Sequence, residues 1–98
     1  MVGHAMNTAH KGRRAEHRAR RLLEAAGFMV CRAAGSKGPA DLVAWDKASI
    51  RFISIKSGTE YASATERERL QLMPRPMNAS IEVWRFPDRC QAPLIEWL

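Results

Sequence analysis

Cysteine is scarce in this 98-residue sequence, which contains only Cys31 and Cys90. The two are not spaced as a CxxC pair, and His4, His10 and His17 stand at no recognisable ligand spacing relative to them. A structural zinc site draws four such ligands from short, regular spacings. The pattern therefore argues against a zinc-binding module and favours two reduced thiols, the usual state in the cytosol.

Long apolar runs are also missing. No stretch approaches the roughly 20 apolar residues of a membrane-spanning helix, and the first residues, MVGHAMNTAHKGRR, have no apolar segment of the kind that a secretory signal carries. Internal repeats and low-complexity tracts are absent as well. We therefore expect a cytoplasmic protein without a membrane segment, in which residues 1–10 are a flexible leader and 11–98 form a single domain.

Positive charge is the abundant feature. Sixteen Lys and Arg residues stand against ten Asp and Glu, which gives a formal net charge of +6. Six of these cations lie between residues 11 and 21: Lys11, Arg13, Arg14, Arg18, Arg20 and Arg21. A clustered positive field suits a nucleic acid backbone, because neutralising phosphates releases condensed counterions. The alternative is a solvated helix face that only keeps a small protein soluble.

The hydrophobic pattern predicts an α/β fold in the order helix, three strands, helix, two strands. The first three strands should form a mostly antiparallel sheet, and the strand over 50–56 should be central because it is apolar on both faces. Thr65 and Glu68 fit a capping box that starts the second helix. The predicted helices cover 11–26 and 65–73, and the predicted strands cover 28–32, 41–45, 50–56, 80–86 and 93–98.

Four polar residues could meet at one end of this sheet. Ser54 and Lys56 share a strand face about 6.6 Å apart, because side chains alternate along a strand. Asp41 begins the neighbouring strand, and Glu16 borders the buried stripe of the first helix. Carboxylates that converge with a lysine are the groups that metal-assisted phosphodiester hydrolysis needs. Each residue alone also has an ordinary explanation: Glu16 could pair with Arg20, Asp41 could stabilise a turn and Lys56 could be solvated.

The spacing of these residues resembles a known nuclease signature. Pro39-x-Asp41 followed by Ser54-x-Lys56 is similar to the PD-(D/E)XK motif. The surrounding text, KGRRAE…LLEAAGF…CRAAGSKGPADLVA…ISIK, resembles archaeal-type Holliday junction resolvases over residues 11–56. The resemblance implies a restriction-endonuclease-like core and a two-fold dimer. Such a dimer binds a four-way DNA junction and nicks two opposed strands with Mg²⁺, or with Mn²⁺ as an alternative ion.

The resemblance also implies roles for individual residues. Asp41 would be the central metal ligand, helped by Glu16 and by the carbonyl oxygen of Ile55, and Lys56 would be the catalytic lysine. Trp84 and Trp97, on the closing strands, are candidates for the dimer contact. The residues implied to bind DNA are Lys11, Arg13, Arg14, Arg18, Arg32, Ser36 and Lys37.

Ser54 departs from the family pattern, which has Glu or Asp at this position as a second acidic ligand. Three explanations stay open. An acid from elsewhere could supply the missing charge, with Glu66 as the first choice ahead of Glu60 and Glu68. The site could instead work with two acids and more metal-bound water, or the protein could bind DNA without cutting it.

The sequence thus favours an endonuclease that resolves Holliday junctions, associated with the nucleoid and encoded by a cell or by a phage. The alternatives are another DNA nuclease built on the same core, of a repair or restriction type, and a non-catalytic basic module that binds nucleic acid.

Overall fold

The computed structural model describes residues 2–33, 40–89 and 92–98, with side chains from residue 12 onward. Its elements are α1 (Val2–Ala25), β1 (Met29–Arg32), β2 (Leu42–Trp45), β3 (Ile50–Ser57), α2 (Ala64–Leu72), β4 (Ala79–Phe86) and β5 (Leu94–Trp97). The order of helices and strands is the predicted one. Neither of these helices is long and apolar enough to cross a lipid bilayer.

The five strands form one sheet in the order β1-β2-β3-β4-β5. The pairs β1–β2, β2–β3 and β4–β5 are antiparallel, whereas β3 and β4 are parallel because the chain crosses through α2 between them. The predicted α/β class is therefore confirmed, as is the central place of β3. Parallel pairing brings the carboxyl ends of β3 and β4 to the same edge of the sheet.

Each face of the sheet is covered by its own apolar cluster. On one face, Ala15, Ala19 and Leu23 of α1 pack on the centre of the sheet, including Leu42 and Ile53. On the other face, Leu70 of α2 packs against Ile81 and Val83 of β4, with Phe52 of β3 beside them. Alternation along β3 thus directs odd-numbered residues toward α1 and even-numbered residues toward α2. Ser54 and Lys56 belong to the α2 face.

The predicted start of the first helix was wrong. The backbone is helical from Val2 rather than from residue 11. Ala5, Met6 and Ala9 have good helix propensity, and no proline interrupts the segment, so nothing in the sequence stops the helix earlier. Residues 2–10, expected as a flexible leader, therefore have a helical backbone; their separation from the domain stays a prediction.

The predicted cap of the second helix was displaced by two residues. Ser63, not Thr65, is the N-cap, and its hydroxyl accepts a hydrogen bond from the backbone N–H of Glu66 at 3.1 Å. The pattern Ser/Thr-x-x-Glu occurs twice in this stretch, and the earlier copy gives the longer helix. This cap matters for the site, because it fixes the first turn of α2, where Glu66 lies.

A buried ion pair joins β3 to β4 on the α1 face, toward the start of the two strands. Glu82 is fully buried, and its carboxylate accepts two hydrogen bonds from Arg51 at 2.7 and 2.8 Å. Ser80 and Trp84 also donate to it, at 2.6 and 2.8 Å. Because Trp84 lies in this network and is 4% exposed, its assignment to a dimer contact was wrong, whereas Trp97 is 60% exposed.

Candidate metal and phosphate site

Asp41 immediately precedes β2 and is held by its main chain on both sides. Its N–H donates to the carbonyl of Ile53 at 2.8 Å, and its own carbonyl accepts from the N–H of Ala33 at 2.9 Å. Its side chain then turns to β3, where Oδ2 accepts a hydrogen bond from the N–H of Ile55 at 2.6 Å. The backbone thus fixes the position of this carboxylate before any ligand binds.

The surroundings of Asp41 disfavour its charged form. The pKa of its carboxyl group is raised above the ordinary value, with burial as the largest cause, although the Ile55 hydrogen bond and the nearby charge of Lys56 lower it. The charges of Glu16 and Glu66 raise the pKa of Asp41 further. The charges of Glu16, Lys56 and Glu66 therefore all act on the Asp41 carboxylate.

Lys56 contacts the first turn of α2. Its Nζ donates to Oε2 of Glu66 at 2.6 Å, and the lysine side chain is only 16% exposed. The hydrogen bond from Lys56 is the largest cause that lowers the pKa of Glu66 below its ordinary value. Glu66, the first choice for a compensating acid, therefore lies beside the predicted catalytic lysine.

Glu16 reaches the same region from α1. Its Oε1 lies 2.5 Å from Nε of Arg32 at the end of β1, rather than beside Arg20, which instead pairs with Glu24 at 3.6 Å. Glu16 and Arg32 line a pocket of about 280 Å³ together with Arg13, His17 and Arg20. Two residues predicted for different roles, metal binding and DNA binding, are thus in contact.

Ser54 is 2% exposed and lies beside Val83 of β4 in the parallel register. It shares the α2 face with Lys56, as the alternation along β3 predicted. A hydroxyl at this buried position is small and neutral, so position 54 provides no negative charge to the site. Any compensating carboxylate must come from another element.

The carbonyl of Ile55 also points toward Asp41. The N–H and C=O of one strand residue face the same neighbouring strand, and the N–H of Ile55 is bonded to the Asp41 side chain. The last β2–β3 pair is Leu42 with Ile53, so Ile55 lies beyond the part of β3 that pairs with β2. Its carbonyl oxygen is therefore well oriented for the predicted role as a backbone ligand.

The basic cluster of α1 divides between two sides of the helix. Arg13, His17 and Arg20 lie on the side of Glu16 and Arg32. Arg14 and Arg18 lie on the other side, where they line a second pocket with Arg89 at the carboxyl ends of β3 and β4. The buried Ala15–Ala19–Leu23 stripe faces the sheet, so the cations of α1 lie on the remaining surface of the helix, and their contact with DNA stays a prediction. Ser36 and Lys37 lie outside the described residues, as does the side chain of Lys11.

The oxygen-rich surroundings of Asp41 fit a hard divalent cation, which prefers carboxylate and carbonyl ligands. Asp41 and the Ile55 carbonyl provide two such groups, with Glu16 and Glu66 close enough to influence the Asp41 charge. In the described part of the chain, however, no three Asp, Glu, His or Cys side chains are already gathered for a metal. The ion pairs Glu16–Arg32 and Glu66–Lys56 hold both additional acids.

Two residues near Lys56 were missed in the sequence. Arg85 lies opposite Lys56 in the parallel β3–β4 register, and its guanidinium carbon is 4.4 Å from the centroid of the Tyr61 ring. Lys56 and Arg85 lie side by side only because of the β3–β4 register, which depends on how the chain crosses through α2. The only signal in the sequence is weak: a basic residue in the strand that follows the second predicted helix.

Comparison with known proteins agrees with this architecture. The family model described as archaeal Holliday junction resolvase (Hjc) matches residues 7–73. A similar solved structure is that of Archaeoglobus fulgidus Hjc, described as a Holliday junction resolvase from an archaeal hyperthermophile. It is 28% identical with a TM-score of 0.70, and the match covers 90% of this chain and 71% of that chain. None of the curated proteins compared with the chain matches it. The chain therefore belongs to the archaeal Holliday junction resolvase family, within the PD-(D/E)XK nuclease superfamily.

Proposed function

We propose that this protein is a metal-dependent endonuclease that binds four-way DNA junctions and nicks two opposed strands as a homodimer. The observation that carries the proposal is the Asp41 carboxylate. It is half-buried, it accepts a hydrogen bond from the backbone of Ile55, and the charges of Glu16, Lys56 and Glu66 act on it. A carboxylate placed where its own ionisation is disfavoured is typical of a functional site.

The proposed metal ligands are Asp41, the Ile55 carbonyl, Glu16 and Glu66, with Mg²⁺ as the expected ion and Mn²⁺ as the alternative. When bound, a divalent ion lowers the pKa of a coordinated water and offsets negative charge on the phosphoryl oxygens. Glu66 takes the place of the acid that Ser54 lacks, since it extends from α2 toward the same face of β3.

Lys56 is the proposed catalytic lysine. Its Nζ donates to Glu66 in the structure, so rotation of that carboxylate toward the metal ligands leaves the ammonium group for other partners. From this position Lys56 can orient or deprotonate the attacking water, or donate to a phosphoryl oxygen as negative charge develops on it. Because the Lys56 side chain is mostly buried, it loses little conformational entropy when it binds a phosphate or a water.

DNA contacts are proposed for the arginines on both sides of α1. Arg13 and Arg32 contribute to the pocket beside Glu16, whereas Arg14 and Arg18 contribute to the pocket at the carboxyl ends of β3 and β4. Two separated groups of guanidiniums could contact phosphates of different junction arms. A two-fold dimer matches the two-fold symmetry of such a junction, and the exposed Trp97 is the remaining candidate for the dimer contact.

A cleavage assay tests the proposal. The full chain is incubated with a four-way junction, a linear duplex and single strands, each labelled and each with Mg²⁺ or with EDTA. The proposal expects paired, symmetrical nicks in the junction with Mg²⁺, and binding without cleavage in EDTA. Cleavage of all three DNA forms would favour a different nuclease activity on the same core.

A second candidate function is junction binding without catalysis. The two ion pairs Glu16–Arg32 and Glu66–Lys56 favour it, because each predicted acidic ligand besides Asp41 is already paired with a cation. In that case the junction is bound equally well with Mg²⁺ and EDTA and no strand is cut under either condition.

A further inference from the structure

Arg85 is the closest cation to the proposed catalytic lysine along the sheet. The register pairs Lys56 of β3 with Arg85 of β4. Adjacent strands lie roughly 4.8 Å apart, and paired residues point to the same face. Both side chains therefore start side by side on the α2 face, to which the proposed catalytic lysine belongs.

The partner of Arg85 is an aromatic ring and not an acid. Its guanidinium lies over Tyr61, and within the described residues its side chain has no hydrogen bond or ion pair besides this ring contact. A half-buried guanidinium without a carboxylate keeps most of its N–H donors unused. Stacking on a ring covers the flat face of the group, and the edge that carries the donors stays available for an anion.

The cations next to Arg85 have acidic partners. A pocket of about 210 Å³ lies between α2 and strands β3 to β5, and its lining includes three cations: Lys56, Arg67 and Arg85. Lys56 pairs with Glu66, and Arg67 pairs with Glu96 of β5. Arg85 is thus the one cation of this pocket that has no acidic partner within the described residues.

Tyr61 stands at the edge of the same pocket and is 65% exposed. One face of its ring is covered by Arg85, so the rest of the ring is available to another flat group. Nucleobases that are not stacked within a helix bind to aromatic side chains in this way, and a phosphate next to such a base is a suitable ligand for an arginine fork.

We propose that Arg85 and Tyr61 form a nucleotide subsite beside the catalytic lysine. Arg85 binds the phosphate that neighbours the scissile one in the cleaved strand, and Tyr61 stacks on an unpaired base at the branch point. The inference rests on the proposed function, since it places the cleaved strand along Lys56. It adds the position of a second nucleotide and a reason for preferring branched DNA over a fully paired duplex.

Equilibrium binding of the full chain in EDTA tests the subsite without any dependence on cleavage. The expected effects of Arg85→Gln are a loss of junction affinity and a fall of about 0.9 in the salt slope of log K, the value for one lost phosphate contact. Arg85→Lys should keep the slope and lose part of the affinity. Arg75→Gln is the matched control, because Arg75 is exposed and donates to the carbonyl of Leu98, near the start of β4.

Tyr61 is tested with two variants of similar size. Tyr61→Leu should weaken junction binding by about fivefold or more, the effect of losing one stacked base, and should leave duplex binding unchanged. Tyr61→Phe should bind both DNA forms like the wild type, because the ring is retained. Circular dichroism melting of every variant sets a temperature at which all are folded.

The outcomes separate the subsite from the proposed function. Equal binding by Arg85→Gln and Arg75→Gln would overturn the phosphate role, and equal junction binding by Tyr61→Leu and Tyr61→Phe would overturn the stacking role. Either result can occur while the wild type still cuts junctions with Mg²⁺. Conversely, the expected binding losses in a protein that cuts nothing would support the subsite and contradict the proposed nuclease activity.

Discussion

Replacement of Asp41 by asparagine tests two properties of this carboxylate: the effect of its burial on the stability of the fold, and its proposed role as a metal ligand. Burial raises the pKa of Asp41 above the ordinary value of 3.8, against the opposing effect of the Ile55 hydrogen bond. For an acid with a raised folded-state pKa, the contribution to stability is complete below the unfolded-state value and is lost as the pH rises through the folded-state value. At neutral pH the ionised Asp41 therefore destabilises the metal-free fold.

The variant should accordingly behave differently with and without metal. Asparagine keeps an oxygen for the Ile55 N–H, so the EDTA form of Asp41→Asn should unfold at the wild-type temperature or higher. Metal at ten times Kd stabilises the wild type by RT ln 11, about 1.4 kcal/mol, or about 6–11 °C in Tm for a domain of this size. A hundredfold weaker site gives about 0.06 kcal/mol, a shift below about 1 °C.

Thermal unfolding followed by circular dichroism, over a Mg²⁺ titration and in EDTA, measures both effects. Asp46→Asn is the matched control, because the Asp46 carboxylate accepts hydrogen bonds from Ala48 and Ser49 that lower its pKa. This control should melt below the wild type in EDTA and keep the full response to Mg²⁺. A wild-type response to Mg²⁺ in Asp41→Asn would refute the ligand role, and a large loss of Tm in EDTA would refute the account of its burial.

Three further predictions concern other parts of the molecule. Glu66→Gln should weaken Mg²⁺ binding measured by calorimetry, and adding Ser54→Glu to that variant should restore the binding. Weak binding by the double variant as well would show that Glu66 does not replace the missing acid. Arg14→Gln should reduce the salt slope of junction binding by about 0.9, and an unchanged slope would remove Arg14 from the DNA contacts. Glu82→Gln should destabilise the fold by about 3–5 kcal/mol in urea unfolding, because it leaves Arg51 buried without its partner; a loss below about 1 kcal/mol would mean that the ion pair contributes little net stability.

Much of the fold was predictable because it follows from local patterns. The apolar character of both faces of β3 predicted its central position, and the spacing of Ala15, Ala19 and Leu23 predicted the buried stripe of α1. The start of α1 was not predictable from periodicity, since the added turns depend on backbone propensity. The displaced cap of α2 has a similar origin: two overlapping capping patterns compete, and helix length decides between them.

The candidate site was predictable only as a set of residues. The sequence grouped Glu16, Asp41, Lys56 and Glu66, and in the structure the charges of the other three act on the Asp41 carboxylate. It did not indicate which acid would pair with which base, because Arg32 and Lys56 reach their partners through the packing of α1 and α2 on opposite faces of the sheet. The position of Arg85 beside Lys56 depends on the parallel register, which is a tertiary property.

The most direct test of the proposed metal centre is to map where a bound ion lies along the chain. Fe²⁺ substituted for Mg²⁺, with ascorbate and peroxide, produces hydroxyl radicals that cleave the polypeptide next to the ion, and mass spectrometry identifies the cuts. We expect cuts beside Asp41, Ile55 and Glu66 that Mg²⁺ competes away and that Asp41→Asn lacks. Cuts elsewhere in the chain, or the same cuts in Asp41→Asn, would contradict a metal centre at this carboxylate.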